Sequence, residues 1–270
     1  MNPATLPALA QRIAAAGLDW IVPDWPVPCS VHALMTTRNG GVSRGPLATM
    51  NLGAHAGDTD DALAENRRRL QNILPAEPRW LSQVHGTGVA VQGAQRDGAP
   101  EAADAAITRE RGVVCAVLVA DCLPVLLADR HGTAVGVAHA GWRGLAAGVL
   151  ERTVAAFDSL GVRASDLVAW LGPAIGPAAF EVGAEVRAAF LAHDRRAGVH
   201  FASGAPEKWH ADLHGLARQR LAECGVSAVS GGGFCTKADD ARFYSWRRDR
   251  ACGRMAALIW LAPDTPVPHV

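Results

Sequence analysis

The chain reads as an α+β fold in which mixed β-sheets pack in a layered sandwich flanked by helices. Three observations carry that reading. Apolar runs of strand length come in hairpin-like pairs, as with PVLLAD and TAVGVAH on either side of the turn at Arg130 to Gly132. Segments with apolar residues three and four apart, such as LAAGVLERTVAAFDSL, fall between them. The two kinds of segment follow one another irregularly, which favours a layered α+β arrangement over strict βαβ alternation. With 270 residues, 49% of them hydrophobic, the chain can bury one large core, and the span 1–270 is read as one domain.

Taken in order, Pro7 to Ala16 reads as a short helix, and the prolines of IVPDWPVPC then impose an extended or turning path. VHALMTTR alternates like a strand and runs into the glycine-rich loop NGGVSRG. A helix is expected from near Asp58, because DTDDALAENRRRLQNIL puts acids in the first turn and arginines later; Pro75 and Pro78 end it. The pattern is extended from Trp80 to Val91, and Val113 to His139 holds three buried strands, VVCAVLVA, PVLLAD and TAVGVAH. LAAGVLERTVAAFDSL is one amphipathic helix closed by Gly161, and LVAWLG resumes a strand. VGAEVRAAFLAHD and HADLHGLARQRLAECG are two further helices, GGGFCTKADDARFYSWRRDR is a polar loop, and MAALIWLAP closes the fold as a strand.

Composition narrows the function. There are 26 basic and 26 acidic residues, so no global field draws the protein to nucleic acid or to an anionic membrane, and small-molecule partners are expected of a monomer or homodimer. Cys29, Cys115, Cys122, Cys224, Cys235 and Cys252 show no CxxC pair, and a domain this large does not need disulfide staples; reduced thiols are expected. Arg12 and Asp19 interrupt the N-terminal apolar pattern, which lacks the core of a signal peptide, and no later run reaches membrane-span length. A cytoplasmic location is the expectation.

His85 in SQVHGTGV, Cys122 in ADCLPVLL and His139 in VAHAGWRGL each stand where an apolar run meets glycine or a turn. Two imidazoles and a thiolate suit Zn²⁺, and three protein ligands leave a position for water or substrate, as in catalytic zinc sites. The long separations mean that tertiary folding must assemble such a site. Taken singly, a strand-end histidine is more often a satisfied polar residue, and a cysteine after a strand a small hydrophobe. Asp121 and Pro124 around Cys122, and the nearby Gly86 and Gly141, argue for the site, since a carboxylate and a thiol are poor packing choices and glycine permits close approach.

Arg143 in GWRG precedes a helix expected from Leu145, where it either helps to bind an anion or stacks on Trp142. Arg38, Arg247 and Arg248 are further cationic candidates or ordinary loop charge. LGPAIGP forms a rigid turn that could wall a pocket, and it is not a phosphate loop; neither GxGxxG nor GxSxG occurs. His210 and His214 lack the glutamate of HExxH and read as a helix face.

With SQVHG, ADCLPV, AHAGWRG, GPAIG and FYSWRRD in order, the sequence resembles the bacterial laccase-domain family, also called the multicopper polyphenol oxidase or purine nucleoside phosphorylase family. The resemblance runs from TTRNGGVS to the last strand. It implies a zinc enzyme that phosphorolyses adenosine, inosine and methylthioadenosine and deaminates adenosine, with metal ligands at His85, Cys122 and His139. Cu²⁺ is a second ion such a soft site could take. The implied fold is similar to that of the cytotoxic necrotizing factor deamidases. ACGR at Ala251 to Arg254 stands where the family more often has TGR, so a threonine contact is missing. Laccase chemistry itself is disfavoured: a four-copper oxidase needs many histidines, largely in HxH pairs, and the ten here contain none.

What the resemblance implies can be put on residues. For deamination, zinc would activate a water against C6 of adenine, with Asp121 as proton shuttle. For phosphorolysis, Arg38, Arg143 and Arg247 would contact phosphate as it attacks the ribose C1′. The alternatives are a Cys-His amidase editing peptidoglycan precursors, with Cys122 activated by His85 or His139, and a metal-binding or partner-binding scaffold without turnover.

Overall fold

The computed structural model of the chain describes residues 5–93 and 98–264. Helix α1 (Thr5–Ala15) leads through a proline-rich stretch to strand β1 (Val31–Met35). Thr59 caps α2 (Asp60–Gln71) by accepting from the Ala62 amide, and Asp60, Asp61, Arg68 and Arg69 lie in the order the helix dipole favours. Five strands follow: β2 (Val89–Val91), β3 (Ala105–Thr108), β4 (Cys115–Val119), β5 (Leu123–Asp129) and β6 (Val135–Ala140). Then come α3 (Trp142–Ala147), α4 (Val149–Asp158), β7 (Leu167–Leu171), β8 (Glu181–Val182) and α5 (Ala184–His193). The last part holds β9 (Phe201–Ser203), β10 (Trp209–Ala211), α6 (Leu213–Glu223), β11 (Ala228–Gly231), α7 (Trp246–Asp249) and β12 (Met255–Leu261).

The strands form a six-stranded mixed sheet ordered β11-β7-β5-β6-β3-β2, a three-stranded antiparallel sheet β1-β12-β4, and a small sheet β8-β10-β9. Side-chain alternation stacks them. Leu126, Val137 and Trp170 of the large sheet meet Val31, Met35, Val117 and Ile259 across the gap between the two larger sheets. The opposite face of the large sheet, with Val125, Leu127 and Ala138, packs on Val149, Phe157, Phe190 and Leu216 of α4, α5 and α6. The opposite face of the sheet β1-β12-β4, with Leu34 and Leu258, packs on Leu9 of α1 and Leu70 of α2. The result is a mixed α+β sandwich in which both larger sheets are buried on both faces. Each fully buried leucine in these layers stabilises the fold by about 1.5–3 kcal/mol.

Several expectations are corrected. The single helix Leu145 to Leu160 is two, because Gly148 takes the left-handed conformation at φ 99 and separates α3 from α4. The three strands expected between Val113 and His139 are present as β4, β5 and β6; β5 and β6 form a hairpin of the large sheet, while β4 pairs with β12 in the other. Only Val89 to Val91 of the stretch from Trp80 is a strand, and the remainder is loop. His210 belongs to β10 and precedes the helix rather than lying on it. Among the described residues, no helix is long and apolar enough to cross a membrane.

Candidate metal centre

The β5–β6 hairpin sets two of the three expected donors side by side. Pro124 pairs with His139 and Leu123 with Ala140, so Cys122, one residue before β5, faces the end of β6. Gly141 follows at that point with ordinary backbone angles, and its lack of a side chain matters: a Cβ there would lie 2.8 Å from Cys122 Sγ and 3.2 Å from the His85 ring. Gly144 in α3 is likewise open toward the His85 loop, where a Cβ would sit 2.8 Å from the Gly86 carbonyl. These two glycines let loop, hairpin and helix close on one point.

His85 arrives on the loop between residues 82 and 88, at φ 59. Two anchors hold it in that unusual backbone conformation. The Gln83 side chain bonds both ways to the Leu118 backbone, at 2.9 and 2.7 Å, like one more residue of the sheet edge. On the other side, the amides of Val84, His85 and Gly86 all donate to the Asp104 carboxylate at 3.1, 2.9 and 2.7 Å. Asp104 also accepts from His139 Nδ1 at 2.8 Å. One fully buried carboxylate thus fixes the loop that carries one histidine and the ring orientation of the other.

With Nδ1 committed to Asp104, the free nitrogen of His139 is Nε2, which is the geometry of a carboxylate–histidine–metal relay. The His85 and His139 rings meet edge to face with centroids 4.8 Å apart, and His85 Nε2 lies 3.8 Å from Cys122 Sγ. One ligand atom from each of the three residues lies within 4.8 Å of the others. A tetrahedral ion with ligands at about 2.0–2.3 Å spaces neighbouring donors about 3.3–3.6 Å apart, so a small inward movement of these side chains would complete the site. His139 is buried, Cys122 half-buried and His85 exposed, so the cluster faces solvent on one side.

The other expected residues divide. Asp121, at φ 86, turns its carboxylate away into a network: Thr236 Oγ1 donates at 2.6 Å, the Arg247 amide donates at 2.6 Å, and the Asp121 carbonyl accepts from the Ile175 amide at 2.9 Å. Arg247 Nη1 donates to the Glu181 carbonyl and its guanidinium lies over Phe180. Arg38 donates to the carbonyls of Ala48 and Asp240 and lies over Tyr244. Arg143 is exposed and stacked on Trp142 at 4.4 Å, and it stands inside α3, which begins three residues earlier than expected. Arg248 is tied to Asp249 and three carbonyls. His214 is buried against the Gly172 carbonyl, and the GPAIG turn is bonded to the Asp121 carbonyl at Ile175 and to Cys235 Sγ at Gly176. Sequence reasoning missed Asp104 and Gln83. An acid heading the buried run AAIT was the available signal for the first, the same signal that drew attention to Asp121.

The sequence signature described as multi-copper polyphenol oxidoreductase laccase matches residues 32–262. The chain belongs to that family. It is 54% identical over 243 residues to a Pseudomonas aeruginosa protein named purine nucleoside phosphorylase, covering 90% of this chain and 98% of that one. It is 52% identical over 246 residues to purine nucleoside phosphorylase YfiH of Escherichia coli, covering 89% and 98%. A solved structure from Neisseria meningitidis shares 47% identity and superposes with a TM-score of 0.86, covering 91% of this chain and all 100% of that one. The mixed α+β architecture is therefore shared with that solved structure.

The electrostatics of this laccase-family site give Cys122 and His139 the character of a thiolate–imidazolium pair, so a metal ion would take the place of the His139 proton. Burial by itself would raise the Cys122 thiol, but the charge on His139 and hydrogen bonds from His139 and His85 outweigh it and bring the thiol down to about 6. Burial would lower His139, yet the Cys122 thiolate and Asp104 raise it to about 9. Asp104 is held below the usual carboxylate range: burial works against this, and the bonds from His139 and the loop amides prevail. A thiol so depressed is thiolate above about pH 6 and protonated below it. Alkylation of Cys122 in metal-free protein is therefore expected to reach half its maximal rate near pH 6, with Cys115, pushed up to about 12 by burial, inert beside it. Peptide mass mapping reads both, and a midpoint near the free-thiol value of about 8.5 would show that the imidazoles do not hold the thiolate.

Proposed function

We propose that the chain is a zinc-dependent purine nucleoside phosphorylase acting on adenosine, inosine and methylthioadenosine, with adenosine deamination at the same centre. The observation that carries this reading is the His85, Cys122 and His139 donor cluster in a chain half identical, over nearly full length, to proteins named purine nucleoside phosphorylase. The donor set fits zinc, with a thiolate already favoured at Cys122, His139 Nε2 aimed at the cluster by the Asp104 bond to Nδ1, and one side left open. Zinc bound there would supply a Lewis acid with room for water or for a purine atom.

The protein's own residues do the rest. Asp104 holds the His85 loop and the His139 ring so that little reorganisation is needed when substrate binds. Phosphorolysis replaces the C1′–N bond of the nucleoside by a C1′–O bond to phosphate, so phosphate must be positioned beside the sugar while negative charge develops on the leaving base. Of the three arginines expected to contact phosphate, we retain Arg247, whose backbone is tied to Asp121 next to the metal-ligating cysteine. All three guanidiniums have engagements of their own, Arg247 with the Glu181 carbonyl and Phe180, Arg38 with two carbonyls and Arg143 with Trp142; the backbone tie to Asp121 sets Arg247 apart. We assign Asp121 to positioning in place of the proton shuttle expected from sequence, because both carboxylate oxygens already accept hydrogen bonds from the surrounding wall.

The four-copper laccase reading gains no support from the donor inventory, since among the described residues one group of three or more metal-ligating side chains comes together. The Cys-His amidase is the second reading, favoured by one observation: a thiol lowered to about 6 with His85 Nε2 at 3.8 Å is also an activated nucleophile. The fold likeness expected to the cytotoxic necrotizing factor deamidases suits it.

Turnover of adenosine by metal-quantified protein, with and without phosphate, separates these. Adenine and ribose 1-phosphate formed only with phosphate support phosphorolysis, inosine formed without phosphate supports deamination, and a chelator is expected to stop both. No nucleoside product from a zinc-loaded sample overturns the proposal. Activity on an amide substrate that survives chelation and is lost on thiol alkylation would select the amidase.

A further inference from the structure

A cavity of about 550 Å³ lies between the two alanines that follow the GPAIGP turn, β8, β10 and the segment around α7, lined by Glu181, Lys208, His210, Lys237, Arg247 and Arg250, with Ala178 and Ala179. Four lysine and arginine side chains share the lining with one carboxylate. Among the described residues, Lys208, Lys237 and Arg250 have no acidic partner, so their charge is not spent inside the protein. Arg250 is also held at φ 60, a conformation that L residues adopt at a cost of about 1–3 kcal/mol and that clusters at functional sites.

The cavity is built onto the metal centre through one residue. Asp121, adjacent to Cys122, bonds the Ile175 amide, the Thr236 hydroxyl and the Arg247 amide. Each of those contacts starts a wall: residues 177–181 continue from Ile175, Lys237 follows Thr236, and Arg247 to Arg250 form the third. Lys237 and Arg247 are half-buried, while Lys208 and Arg250 are exposed at the rim. His210 has its Nδ1 bonded to the Pro177 carbonyl at 3.1 Å, which ties β10 to the turn.

We infer that this cavity is a phosphoryl-binding subsite, with Lys208, Lys237, Arg247 and Arg250 as its cationic contacts and Asp121 as the residue that holds it in register with Cys122. Clustered lysine and arginine donors facing a concave space are the chemistry that recognises a phosphoryl dianion, and their hydrogen bonds to it are charge-assisted. The choice of phosphate over other anions rests on the phosphorylase reading. The phosphoryl group can come from inorganic phosphate or be carried on the substrate's sugar, since a cavity of this volume belongs to the range that encloses small organic ligands.

The test is equilibrium binding to zinc-loaded full-length protein, by calorimetry, with two probes: inorganic phosphate and adenosine 5′-monophosphate. Lys208→Met/Lys237→Met is expected to keep one zinc per chain and to weaken binding at least ~10-fold, the loss corresponding to one charged hydrogen bond of about 1.5 kcal/mol. Lys208→Met alone, at an exposed position, serves if the double variant does not fold. Lysine-dependent binding of either probe supports the subsite, and the tighter probe identifies the source of the phosphoryl group. Equal affinity of wild type and variants for both probes, or no saturable binding of either, overturns it. Lysine-dependent binding without nucleoside turnover would remove the phosphorylase reading and leave the subsite; phosphorolysis with lysine-independent phosphate binding would do the reverse.

Discussion

On the proposed zinc centre, Cys122→Ala is expected to bring zinc from about one ion per chain to a trace and to abolish the proposed nucleoside turnover. The thiolate is one of three candidate donors and supplies the only negative charge among them, so the two remaining imidazoles would face a bound ion without that neutralisation. Loss of an outer partner of a metal ligand typically costs ~10–100-fold in affinity or activity, and loss of the ligand itself should exceed that. The fold should survive, because Cys122 is half-buried at a strand end, His139 keeps its bond to Asp104, and His85 is exposed to solvent. Metal content by mass spectrometry, turnover and thermal melting of the same preparation give the three readings together. Cys29→Ala, at an exposed thiol, is the matched control and should change none of them. Stoichiometric zinc with normal turnover in Cys122→Ala would remove the thiolate from the site.

The layers of this fold were largely legible because their signals are local. β5 and β6 are long apolar runs separated by a turn, and α2 carries its own cap and charge order. What sequence did not yield depends on long-range pairing. β4 looks like the neighbour of β5 because only three residues separate them, yet the turn at Asp121 sends the chain to the other sheet. β3 is four residues, all buried, too short to show a period. The helix break at Gly148 is a backbone event that apolar spacing does not register. The three donors were legible because a thiol and two imidazoles where apolar runs meet glycine or a turn are costly to pack for no purpose. Asp104 was not, because its meaning lies in three amides about 20 residues away and an imidazole 35 residues on.

Asp104 is accordingly the residue whose replacement separates positioning from ligation. Asp104→Ala removes the acceptor of three amides and one imidazole at once, leaving buried donors unpaired. A destabilisation of about 3–5 kcal/mol is expected, the range for breaking a buried charged pair by deleting one partner. Asp104→Asn is the more informative change. It keeps the size and one acceptor oxygen, but it turns an NH₂ toward groups that are themselves donors, so either the His85 loop or the His139 ring must lose its tie. The variant should fold and melt lower than wild type. Measured well below that melting temperature, its zinc affinity is expected to fall by ~10–100-fold, the usual cost of losing an outer partner of a ligating histidine. A lowered melting temperature with unchanged zinc affinity would mean that Asp104 supports the fold alone, and that the His85 loop finds its place around the ion without it.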